Sequence, residues 1–271
     1  MEHTNLKPAH LLIAVALITV YGCQDELGCT DESAENFNID ANVDDGSCIY
    51  VNDDTTEIDC IEPEFDGYVY SVVQIGSQCW FAENLRTSKY ANGDDVFHPI
   101  PEEWEFDISS PTLQGSTIIY GENGADCTET APDFDACDSD ISLQEYGRLY
   151  NKVAVLDERG ICPTGWHIPS SVEVTELEEY LIAAGYDAGL ALKSVNGWES
   201  EWGGGEDTFG FGAKPGGDVV NTGVFQFSEA GYKGTWWSVE SHFSLTNGND
   251  GLFNGGISLS TNAKSVRCLK D

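Results

Sequence analysis

Residues 11–20 (LLIAVALITV) form an unbroken apolar run. That length is too short to span a bilayer and suits the hydrophobic segment of a signal peptide. Polar positions then dominate as far as Asp66, and Val51–Asp66 shows no periodicity. From Gly67 to Gly76 apolar and polar positions alternate among β-branched and aromatic side chains, which predicts a strand. Ser77–Tyr90 predicts a second strand and a turn. Ser170 or Ser171, with Glu173 just after, marks a helix N-cap. Val174, Leu177, Tyr180 and Leu181 then recur at helical spacing, so a helix is predicted over residues 172–184, with Gly185 as its C′ residue. Beyond it, glycine- and aromatic-rich stretches at 209–217, 231–238 and 265–271 predict short strands joined by turns. The pattern is that of an α+β chain.

Charge changes this picture. Against 12 Lys and Arg stand 47 Asp and Glu, a formal net charge of −35. A nucleic-acid binder needs clustered cations to displace counterions from phosphate, and so does a polybasic hold on anionic lipid. Both are excluded as partners. The acid is uneven: residues 24–66 hold 15 carboxylates and no cation, whereas Arg148–Asp271 holds 16 carboxylates against 9 cations. The later half therefore has an ordinary globular composition.

The apolar run ends in Val20-Tyr21-Gly22-Cys23, which resembles a bacterial lipobox. Cys23 is then the lipid attachment site, holding the chain to the outer membrane. Nine cysteines support this, since lipidation of one leaves an even eight in a compartment where disulfides persist. Local context suggests Cys29–Cys48, Cys60–Cys79, Cys127–Cys137 and Cys162–Cys268, with the middle two pairs open to exchange. The acidic Gln24-Asp25-Glu26 resembles the surface-export signal of Bacteroidetes lipoproteins, which implies exposure at the cell surface.

Gly28–Tyr50 (GCTDESAENFNIDANVDDGSCIY) resembles a small Cys-bounded repeat of secreted bacterial proteins. Asp40, Asn42 and Asp44 fall at i, i+2 and i+4, the spacing by which irregular loops converge oxygens on Ca²⁺. The alternative is a disulfide-closed loop of Asx-turns, with Asp45-Gly46 as a tight turn.

The remaining motifs are Trp80-Phe81-Ala82-Glu83-Asn84-Leu85-Arg86, Tyr146-Gly147-Arg148-Leu149-Tyr150-Asn151, Cys162-Pro163-Thr164-Gly165-Trp166-His167-Ile168-Pro169-Ser170, Leu192-Lys193-Ser194, Pro215-Gly216-Gly217, Trp236-Trp237-Ser238 and Val266-Arg267-Cys268-Leu269-Lys270-Asp271. In this order they resemble the Fibrobacter succinogenes major paralogous domain. The resemblance implies a C-type-lectin-like fold in which early and late strands meet, and it implies pairing of Cys162 with Cys268. It implies no chemistry. The chain thus divides into a signal peptide (1–22), a lipidated tether (23–27), an acidic module (28–50), a linker (51–65) and the main domain (66–271), which carries an acidic insertion at 91–145.

No catalytic residue is assigned. The sequence contains no G-x-S-x-G, H-E-x-x-H or P-loop, and His167 reads as a packing residue at the start of the helix. Formylglycine-generating oxidases share the lectin-like fold, but their chemistry needs free cysteines. The Ca²⁺-dependent sugar-binding signatures of lectins are missing from the sequence. Trp198 and Trp202, next to Gly203-Gly204-Gly205, are candidates for an exposed stacking platform. The expectation is a non-catalytic surface lipoprotein that binds a glycan or protein ligand, or serves as a subunit of an outer-membrane protein complex.

Overall fold

The computed structural model describes residues 25–34, 36–49, 59–99, 114–122, 134–199, 204–221 and 225–271. The expected signal peptide, Cys23, Cys127, Trp202, most of the expected linker and much of the 91–145 insertion lie outside the described residues. No described helix is long and apolar enough to cross a membrane. The chain forms two units, Met1–Glu57 and Ile58–Asp271.

In the first unit, β1 (Leu27–Gly28) and β2 (Val43–Asp44) pair in parallel. Cys29 and Cys48 are joined by a disulfide, and the described core is little more than Cys29 and Ala34. So small a segment buries too little apolar surface to fold on that alone, and the covalent closure compensates.

The second unit begins with β3 (Glu64–Phe65), which pairs with β4 (Tyr68–Val69) across a turn at Asp66-Gly67. The linker expected to run to residue 65 therefore ends earlier. A Cys60–Cys79 disulfide ties this start to the domain. The alternation from 67 to 76 is broken at Tyr70-Ser71, where pairing switches from β3 to a new partner. β5 (Val72–Ile75) continues as a hairpin with β6 (Gln78–Phe81).

Then come β7 (Thr117–Ile118), α1 (Ser139–Tyr146), β8 (Leu149–Asn151), α2 (Lys152–Val155) and β9 (Trp166–His167). The principal helix α3 (Ser171–Ala183) follows, then α4 (Ala188–Leu192). α3 starts with a complete capping box: Ser170 accepts from the Glu173 amide while Glu173 accepts from the Ser170 amide. Val174, Leu177 and Leu181 are buried on its inner stripe. Tyr180, expected on that face, is 43% exposed and lies on the flank, its ring against Gly76.

The last strands are β10 (Gly216–Asn221), β11 (Phe225–Ala230), β12 (Lys233–Trp237), β13 (His242–Thr246), β14 (Phe253–Asn254), β15 (Ala263–Lys264) and β16 (Leu269–Lys270). They build two sheets. One runs β14-β13-β12-β10-β15-β8-β7, with β11 also on β10; the other runs β5-β6-β16-β9. β16 sits between β6 and β9, so a late strand completes a sheet begun almost two hundred residues earlier. Cys162–Cys268 crosses the same region. The result is a disulfide-stabilised α+β domain, mostly sheet. Trp80, Trp236 and Phe243 fill the space under α3, while Tyr70, Phe81, Trp166 and Trp237 fill a second aromatic core.

Candidate functional site

The motif residues close on one another inside the domain. Arg267 is fully buried. Its guanidinium donates to the side-chain oxygen of Asn84 and to the carbonyls of Phe81, Phe211 and Gly212. It also lies 4.2 Å from the ring centre of Phe211. Burial pulls its pKa down to about 9, with Asp207 and Glu83 opposing, so it stays a cation at neutral pH. Lys193 is likewise buried, donates to the Asn249 carbonyl at 2.6 Å and faces the Trp198 ring. Lys264 pairs with Asp218 at 2.8 Å, both side chains only 4% exposed.

These cations were the residues that sequence reasoning missed. Motif position singled out Lys193 and Arg267, though not Lys264, but a Lys or Arg reads as surface unless its partners, here carbonyls, a carboxylate and aromatic faces from distant strands, are known. Gly147 shows the same economy of space. Its φ is +71°, and a β-carbon there would come within 2.7 Å of the Leu85 carbonyl oxygen.

His167 bridges two carboxylates, Asp271 at 2.7 Å from Nδ1 and Glu173 at 3.0 Å from Nε2. Burial tends to raise the Glu173 pKa, but the Ser170 amide and hydroxyl and His167 outweigh it, and the net shift is downward. The arrangement is a clasp joining the end of β16 to the first turn of α3.

Trp198 is not a platform. It is 4% exposed, and its indole N–H donates to Ser194 and to the Ala213 carbonyl. The glycines that suggested an open loop instead allow close packing: a β-carbon on Gly205 would meet the Lys193 carbonyl at 2.2 Å. Trp236 and Trp237 are core residues, 0% and 1% exposed.

In the acidic module two of the three side chains proposed for Ca²⁺, Asn42 and Asp44, accept backbone amides. Asn42 accepts the Glu26 amide, Asp44 accepts the Gly46 amide, and the Asp40 amide is held by Asn38. These are turn-closing bonds. Among the described residues no group of three or more His, Cys, Asp or Glu is placed to hold a metal.

The seven described cysteines are all disulfide-bonded. Three pairs are seen directly, Cys29–Cys48, Cys60–Cys79 and Cys162–Cys268. Cys137 is bonded, and Cys127 lies outside the described residues.

An open cleft of about 660 Å³ lies beside α2, lined by Lys152, Val153, Leu156, Asp157, Glu158, Arg159 and Ser260. α2 is positioned by Asn151, whose side chain caps it by accepting the Ala154 amide and also accepts the Ser116 amide. Lys152 donates to the carbonyls of Ser238 and Ser241 and lies 4.7 Å from the Trp237 ring centre. Burial lowers its pKa to about 8, with Glu240 opposing. Arg159 is held by both oxygens of Asp157 and stacks 3.9 Å from the Tyr90 ring centre. That pairing depresses the Asp157 pKa to about 2.

No curated protein and no solved structure matches the chain. The sequence pattern of the Fibrobacter succinogenes major domain matches residues 73–270. That span takes in both sheets, the Arg267–Asn84 lock and the α2 cleft, and the chain belongs to the Fibrobacter succinogenes major domain family.

Proposed function

We propose that this chain is a non-catalytic surface lipoprotein, anchored through Cys23 in the outer membrane, whose C-type-lectin-like domain binds an extracellular ligand. The observation that carries the reading is the α2 cleft, which is open and ligand-sized and sets two aliphatic residues, Val153 and Leu156, among charged groups and Ser260. Elsewhere the clustered charges are closed on one another, as in the His167 clasp and the Lys264–Asp218 pair. The pairing of β6 with β16 and the Cys162–Cys268 crosslink support the lectin-like reading of the fold. A formylglycine-type oxidase is the second reading, and it would need thiols that the described cysteines do not offer.

Two measurements test the proposal. The full chain, applied to a glycan array and purified in mild detergent from its host, is expected to show either a glycan signal or a stoichiometric partner. Leu156→Asp should diminish whichever is seen. A chain that binds nothing by either route overturns the binding function. For the anchor, Cys23→Ala is expected to release the protein from membranes, and retention sinks the lipid attachment.

A further inference from the structure

The chemistry of the α2 cleft also specifies its occupant, on the reading that the cleft is the ligand site. Its cations are already engaged. The Lys152 ammonium points into the Ser238 and Ser241 carbonyls, and the Arg159 guanidinium is bound by Asp157 and reaches Asp94. Asp157 is spent on the same pair. Glu158 remains, exposed at the rim. The apolar part of the lining is Val153 and Leu156, the latter 54% exposed. The Lys152 amide binds the Ser260 carbonyl, which brings the 257–260 segment alongside. That segment carries Leu259, half exposed, and Ile257, fully exposed.

The surroundings reinforce the sign. Among the described residues Arg86, Lys89, Arg159, Lys214, Lys233 and Lys264 are paired to carboxylates. Lys152, Lys193, Arg148 and Arg267 donate to backbone carbonyls, and Lys270 faces the Trp166 ring. The two cations of the cleft lining, Lys152 and Arg159, are thus both engaged, while the chain as a whole carries −35. Among the described residues the cleft lining also lacks an aromatic face on which a sugar ring would stack.

We propose that the α2 cleft is a docking surface for a basic, aliphatic segment of another protein. Its Lys or Arg would face Glu158, and its apolar side chains would lie on Leu156 and Leu259. The surplus negative charge would steer encounter, and the aliphatic contacts would set how long the complex lasts.

The test is fluorescence anisotropy of the full chain with three short synthetic peptides, alternating Lys and Leu, Lys and Ser, or Glu and Leu. The Lys–Leu probe is expected to bind, the Lys–Ser probe roughly tenfold more weakly, and the Glu–Leu probe not at all. A tenfold change corresponds to about 1.4 kcal/mol. Leu156→Asp and Glu158→Lys should each weaken the Lys–Leu probe roughly tenfold. Both side chains are exposed, so melting temperatures should not move. Undiminished or tighter binding by Leu156→Asp overturns the proposal, because simple attraction of a polycation to an acidic chain gains from an added carboxylate. Glycan binding that falls with Leu156→Asp while the peptides fail to bind also overturns it and leaves the binding function standing. Failure of glycans, native partner and peptides together removes both.

Discussion

Arg267 donates from Nε to the side-chain oxygen of Asn84 at 3.0 Å, and the same oxygen accepts the indole N–H of Trp236 at 2.7 Å. One amide oxygen from the start of the domain therefore satisfies two buried donors from its end. Asn84→Ala strands both and is expected to cost about 3 kcal/mol. Arg267→Lys should lose a comparable amount, because an ammonium cannot reproduce the guanidinium fork that reaches Phe81, Phe211 and Gly212. Urea unfolding midpoints read both, and wild-type midpoints would remove the lock from the account.

Lys264 and Asp218 form a buried ion pair on the neighbouring antiparallel strands β10 and β15. Removing one charge leaves the other desolvated and alone, so Asp218→Ala is expected to cost about 3–5 kcal/mol. Replacing both, as in Asp218→Val with Lys264→Met, should return stability close to wild type. A double-mutant cycle on unfolding free energies checks this, and additive losses would show that the two charges are not coupled.

The Cys162–Cys268 crosslink closes a separation of 106 residues. Replacing both by Ser frees a long loop in the unfolded chain and is expected to lower stability by about 4–5 kcal/mol on the chain-entropy argument. The corresponding change at Cys60–Cys79, a separation of 19, should cost less, about 3 kcal/mol. Calorimetric melts of the two double variants, compared under non-reducing conditions, give the order.

His242 is partly buried, and burial, helped by Lys264 and Lys233, lowers its pKa from 6.5 to about 4. Between these values the unfolded chain takes up a proton that the folded chain refuses. Stability from this group is therefore intact above about pH 6.5 and declines as the pH falls towards 4. Across that window the melting temperature of wild type should drop more steeply than that of His242→Gln. Parallel curves would show that other groups carry the acid sensitivity.

Local chemistry made some of this legible in advance. Ser170 and Glu173 announce the start of α3 because a capping box is completed within one turn. The alternation from Gly67 to Gly76 was less informative, since it cannot reveal that pairing passes from β3 to β6 at Tyr70-Ser71. Trp198 misled for a related reason. A tryptophan beside glycines reads as an exposed loop, yet those glycines let the chain press against Lys193 and bury the ring. The cleft at α2 was not legible at all, because Ser260 meets Lys152 only through the folded topology.

The place of β16 between β6 and β9 also governs the order in which this domain is assembled. During synthesis, residues 78–81 wait for residues 269–270, an interval of about 10–40 s at ordinary elongation rates. Cys60 and Cys79 emerge close together, whereas Cys162 has no partner until Cys268 arrives. The half-built chain therefore passes through a period in which its open sheet edge and an unmatched thiol are both available to wrong partners. Its yield of native protein depends on what protects that interval.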